Sequence, residues 1–259
     1  MSHAPRLPLL VIAGLALASP ALAQTPRPAQ DPALIRPMVQ EDEVLKAAIA
    51  SDSRAEADRA RDVYRHPYES LTFWGLRPGL TVVEIEPGRA GWWSEILQPY
   101  AEATGGRYVA VNRPLETMGV ASGEADFVLV ARAFHNWHRA GRTDAYMAAF
   151  FDALAPGGIL AVEQHRAPAG SDVDQTAGTG YVPESYVISA ALKAGFELEA
   201  SSDLNANPAD DRQHAFGVWT LPPVRRSEGD GRVLTEAERA AYDAIGESDR
   251  MTLRFRKPE

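Results

Sequence analysis

The chain has 259 residues, of which 26 are Lys or Arg and 35 are Asp or Glu, for a formal net charge of −9, and it contains no cysteine. So acidic a balance excludes binding of nucleic acid or anionic lipid through a general basic surface, and the lack of cysteine excludes a disulfide framework and lipoprotein attachment. The length suits one well-filled α/β core and is short for two domains.

Residues 1–23 read as a cleavable export signal. Arg6 supplies a short basic start, Leu7 to Ala18 an apolar run, and Ala21-Leu22-Ala23 a small-x-small cleavage pattern, so the mature chain is expected to start at Gln24. The run is short for a bilayer span and is broken by Ser19-Pro20. A single Arg points to the general secretory route rather than the twin-arginine one, and a soluble periplasmic protein is expected. Residues 24–40 are rich in Pro and polar side chains and read as a disordered leader before a single domain over 41–259.

The domain opens with a helix from about Glu41 to Ser51, with Val44, Leu45, Ala48 and Ile49 at helical spacing. A second is expected from about Ser53 to Tyr64, stopped by His66-Pro67. Leu80 to Ile85 is a β-branched strand that exits at Pro87-Gly88, followed by a helix from Trp92 to Tyr100 and a strand from Arg107 to Asn112. A strand over Asp126 to Ala131, a helix over Thr143 to Leu154, and a strand over Ile159 to His165 continue the alternation. Pro183 to Ala194 is a helix capped by Gly195, and Phe196 to Ala200 a fifth strand. Thr235 to Glu238 is a capping box opening a helix to about Ile245, and Met251 to Arg256 is a final strand. Strands alternating with helices imply a mostly parallel sheet. Residues 205–250 form an insertion before the last strand, long enough to cap a site.

The tract Thr81-Val-Val-Glu-Ile-Glu-Pro-Gly88, the loop Ala155-Pro-Gly-Gly158 before a strand, and Ala194-Gly-Phe196 resemble motifs of the class I S-adenosylmethionine-dependent methyltransferases. Longer blocks are similar to a family of exported bacterial proteins of that predicted class. They are Arg61 to Pro67, Gly91 to Leu97, Phe134 to Trp137, Glu163 to Arg166, Asn205 to Pro208 and Gly246 to Met251. The resemblance implies a Rossmann-like sheet with an antiparallel C-terminal strand, S-adenosylmethionine as cofactor, and methyl transfer to a small molecule. It also implies that Glu84, Gly88, Gly91 and Asn112 face the cofactor. Two departures bear on this. The turn Pro87 to Gly91 keeps only two Gly and puts the bulky, positive Arg89 next to where the sulfonium would lie, and Asn112 stands where an acidic residue usually binds ribose. Only 13 residues, Arg113 to Ala125, then precede the next strand core, too few for helix-strand-helix, so one edge strand is expected to be missing.

Two strands end in histidine, which places His135-Asn136-Trp137 and His165-Arg166 on one wall of the cleft. His135 or His165 is suited to act as a base, with Trp137 stacking on the substrate, Asn136 beside it and Arg166 pairing an anionic group. A structural role for each His stays open. Arg61, Arg65 and His66 form a polar block that reads either as a lid over an anionic substrate group or as salt bridges to Glu247 or Asp249. His135, His138 and His165 lack the Cys or spaced carboxylates that would complete a zinc set, and no metal is expected. Two functions remain open: methyl transfer, and non-catalytic binding by a fold that lost its adenosine pocket. Hydrolysis lacks support, since Ser70, Ser94 and Ser171 have no G-x-S-x-G context.

Overall fold

The computed structural model describes Met1 and residues 41–259, residue 90 excepted. The expected export signal and leader, Met1 apart, lie outside the described residues. Residues Asp42–Glu259 make one compact unit. No helix among the described residues is long and apolar enough to cross a membrane.

Helix α1 (Glu43–Ile49) starts at Asp42, whose side chain accepts from the Leu45 N–H. The single helix expected next is two short ones, α2 (Glu56–Arg59) and α3 (Asp62–Arg65). His66 then adopts a left-handed conformation, φ 41°, and turns the chain into α4 (Pro67–Trp74). Pro67 thus both ends the preceding helix, as expected, and starts the next, since proline lacks the N–H that a first helical turn leaves unused. Strand β1 (Thr81–Ile85) leads to α5 (Ser94–Thr104), β2 (Arg107–Val111) and β3 (Ala125–Ala131). Then come α6 (Phe134–Arg139), α7 (Thr143–Ala153) and β4 (Leu154–His165). After α8 (Val173–Thr176) and a 3-10 turn at Ala177–Thr179, the chain forms α9 (Glu184–Ala194) and β5 (Glu197–Ser202). The insertion holds β6 (Ala215–Val218) and a small hairpin of β7 (Glu228–Gly229) and β8 (Arg232–Val233). Helix α10 (Glu236–Ile245), with its capping box formed, leads into β9 (Arg250–Arg256).

The six-stranded sheet runs β2-β1-β3-β4-β9-β5. β2, β1, β3 and β4 are parallel, whereas β9 is antiparallel to both β4 and β5. This is the expected Rossmann-like α/β sheet with an antiparallel C-terminal strand. Residues 112–124 contain neither helix nor strand, and no described strand pairs the outer edge of β2. The missing edge strand therefore follows directly from the short connection.

Alternation along β3 splits the core into two layers. Val128 and Val130 pack with Phe134, Met147, Phe150 and Val187 on one face, while Phe127 and Leu129 pack with Leu45, Trp74, Ile96 and Leu97 on the other. The chain steps outward from β1 to β2 and then returns to β3 on the opposite side, so the strand order reverses between β1 and β3. Ligand sites of open α/β sheets lie at the carboxyl ends of the strands at such a reversal.

Candidate functional site

Two non-glycine residues with left-handed backbone stand at that reversal. Glu86 (φ 48°) follows β1, and Arg132 (φ 62°) follows β3. Such conformations are costly for residues with a Cβ and concentrate at functional sites. Both side chains line a cavity of about 260 Å³, together with His135 and Asn136 from α6, His165 from the end of β4, and Arg65. Trp219, Pro222, Pro223 and Val224 of the insertion line its other side, as do Ser248 and Arg250 at the start of β9.

The two histidines are set differently. His135 is 5% exposed, its Nδ1 has no hydrogen-bond partner, and its ring lies 5.8 Å from that of Trp219. Burial, then Arg139 and Arg132, pushes its pKa down to about 4. His165 pairs through Nδ1 with the Ser248 hydroxyl at 2.5 Å, and burial followed by Arg250 holds it well below the usual histidine range. Both imidazoles are neutral at pH near 7, so each can accept a proton. The rings are 6.3 Å apart, a spacing that lets one small group touch both.

Behind the cavity lies a buried ion-pair cluster. Glu247 accepts from Arg61 Nε (2.6 Å), Arg65 Nε (2.9 Å) and Arg250. Arg250 also pairs with Glu163 (3.0 Å), which accepts from Trp93 Nε1 (3.1 Å). Burial alone would raise both carboxyls, but the surrounding guanidiniums outweigh it and hold Glu163 and Glu247 below their ordinary values. Burial, then Arg250, brings the Arg65 guanidinium down to about 9.

Of the residues singled out from the sequence, the cavity gathers His135, Asn136, His165 and Arg65. Arg61 holds Glu247 and Asp58, which makes it a salt-bridging residue. His66 pairs with the Asn205 side chain at 3.1 Å, and Asn205 in turn donates to Ser70 and Thr252. Arg166 spans Asp249 and Asp203, tying the insertion to the end of β4. Trp137 does not stack in the cavity. It is 2% exposed, packs on Phe134 and Tyr146, and donates its indole N–H to Glu86 at 3.1 Å. None of the four residues assigned to a cofactor lines the cavity. Glu84 is buried and accepts from Tyr108 (2.7 Å) and Ser94 (2.8 Å), and burial raises its pKa. Gly88 (φ 76°) has open space above its Cα, Gly91 (φ 61°) sits against Ser94, and Asn112 is exposed at the end of β2.

Glu86, Arg132, Ser248 and Arg250 were not singled out from the sequence. The first two each follow a strand directly, so their place at the carboxyl edge was readable. Ser248 and Arg250 belong to a C-terminal block whose meeting with β4 needs the antiparallel pairing His165↔Arg250.

No family model matches the chain, and no curated protein matches it. Solved structures resemble it in fold. A protein from Galdieria sulphuraria described as a candidate sarcosine dimethylglycine methyltransferase is 13% identical, with a TM-score of 0.49, covering 77% of this chain and 86% of its own. The geranyl diphosphate C-methyltransferase of Streptomyces coelicolor is 13% identical with a TM-score of 0.44, over 82% and 87%. The [4+2]-cyclase SpnF is 14% identical with a TM-score of 0.44, over 81% and 85%. The likeness is one of fold.

The residues present fit S-adenosylmethionine in part. The Glu86 carboxylate, partly buried two residues before the open Gly88 turn, would suit the cofactor's ammonium or sulfonium charge. For an adenosine end, the end of β2 would offer only exposed Asn112 and an edge that no described strand covers.

Proposed function

We propose that the domain methylates a small molecule held in the cavity between β1, β3 and β4, using S-adenosylmethionine. One observation carries this reading: a carboxylate at the strand-order reversal, Glu86, faces the same cavity as two neutral histidines. Bound cofactor supplies an electrophilic methyl group. Glu86, fixed by Trp137, holds the cationic end, and the open backbone at Gly88 allows close approach. His135 or His165 takes the proton that the acceptor loses, and Ser248 holds the His165 ring in place. Trp219 and Pro222 give the half-open cavity an apolar wall on the side of the insertion.

A second reading, a binding protein of the same fold without an adenosine pocket, is favoured by exposed Asn112 and by the engagement of Glu84 with Tyr108 and Ser94. Calorimetric titration with S-adenosylmethionine and S-adenosylhomocysteine separates the two. Methyl transfer requires binding of both, weakened in Glu86→Gln and Gly88→Val. Absence of any heat at millimolar concentration leaves the binding-protein reading. We also propose that the chain works in the periplasm after cleavage behind Ala23, which the N-terminal mass of the protein from a periplasmic extract tests.

A further inference from the structure

We infer that Arg132 is the anchor for an oxyanion group, a carboxylate or a phosphate, on the small molecule that enters the cavity. Every other guanidinium of the neighbouring cluster has an acidic partner: Arg61, Arg65 and Arg250 share Glu247, and Arg250 also holds Glu163. Arg132 has none. Among the described residues its guanidinium makes no hydrogen bond and no ion pair, and its Nε is buried without a partner. The side chain nevertheless lines the cavity, and the backbone takes up φ 62° to place it there. Burial, with the neighbouring Arg250 and Arg61, outweighs Glu163 and Glu247, which attract it only from beyond contact, so the guanidinium is held below its ordinary range. A partly buried cation with no direct partner costs stability that the fold could avoid with almost any other residue. The arrangement makes physical sense when the partner arrives from outside.

The surroundings suit an oxyanion. Arg65 and Arg250 stand behind Arg132 with their own carboxylates already engaged, and Arg65 Nη1 and Nη2 and Arg250 Nη1 have no hydrogen-bond partner. Asn136 and the two neutral imidazoles add donors that do not repel an anion. The planar guanidinium fork matches a carboxylate or phosphate edge with two parallel hydrogen bonds. Glu86 lies on the same cavity and favours a ligand whose negative group points to Arg132 and away from the turn. The inference rests on the cavity being the working site and holds with or without the methyl-transfer reading.

The test is calorimetric titration of the mature protein with inorganic phosphate in one arm and malonate in the other, in wild type, Arg132→Asn and Arg113→Gln. Asn tolerates the left-handed backbone, and Arg113 is an exposed arginine paired only with Glu116. Wild type and Arg113→Gln should bind at least one of the two anions, and Arg132→Asn should bind it at least about tenfold more weakly, the loss of a charge-assisted pair of hydrogen bonds. Thermal melts without ligand should place Arg132→Asn at or above wild type, because an unpaired charge has been removed. A purely structural arginine would give a lower melting temperature. Binding of neither anion at about 10 mM, equal binding by Arg132→Asn, or a lower melting temperature in that variant each overturns the inference. The cofactor titration is independent: anion binding without cofactor binding removes methyl transfer and leaves Arg132 in its role.

Discussion

Acidification should unload stability through His135. Its imidazole is 5% exposed, and burial, Arg139 and Arg132 lower its pKa to about 4, against about 6.5 in an unfolded chain. A histidine with a depressed folded pKa binds fewer protons when native. Its contribution is therefore complete above the unfolded pKa and is lost as pH falls toward the folded one. Linkage over that shift removes about 2 kcal/mol between about pH 7 and about pH 5, and about 3 kcal/mol by about pH 4. His165 is shifted the same way and adds to the slope. The carboxyls of Glu163 and Glu247, held below their ordinary values, lose their contribution only at lower pH, as it falls from the unfolded carboxyl range. Urea unfolding followed by tryptophan fluorescence, in wild type and His135→Gln, isolates the single site. The stability difference between the two should change by about 2 kcal/mol from about pH 7 to about pH 5. Parallel curves over that window would refute the assignment of a buried, neutral His135.

Glu247→Gln leaves Arg61, Arg65 and Arg250 without their shared carboxylate, and should cost about 3–5 kcal/mol in urea unfolding; a loss near zero would mean the cluster is not buried as described. Trp137→Phe removes the indole donor to Glu86 and should raise the Glu86 pKa further, seen as a shifted carboxyl carbon titration by NMR, while costing about 1 kcal/mol. Thr235→Ala deletes the α10 capping box and should cost about 1 kcal/mol without touching anion binding, since α10 contributes nothing to the cavity.

The sequence by itself determined the layers of this protein. Period-two runs such as Ala125 to Ala131 specify strands whose two faces bury different partners, and the capping box at Thr235 and the glycine at 195 mark helix ends through local hydrogen bonding and backbone freedom. The missing edge strand was equally legible, because residues 113–125 are too few to cross the sheet. Local pattern also put His165 at a strand end; His135, expected at the end of another, lies four residues past β3 on helix α6. That pattern could not say which way a side chain points once there. Glu84 turns under α5 to Tyr108, Trp137 turns into the core, and Arg166 and His66 are taken up by Asp249 and Asn205 from far along the chain. Those partners lie up to 139 residues away in sequence, and which charges neutralise one another depends on distances in space that no local spacing encodes. Only the tertiary structure could therefore show that Arg61 and Arg65 are claimed by Glu247, and that Arg132, among the described arginines that line the cavity, is the one without a direct ion pair.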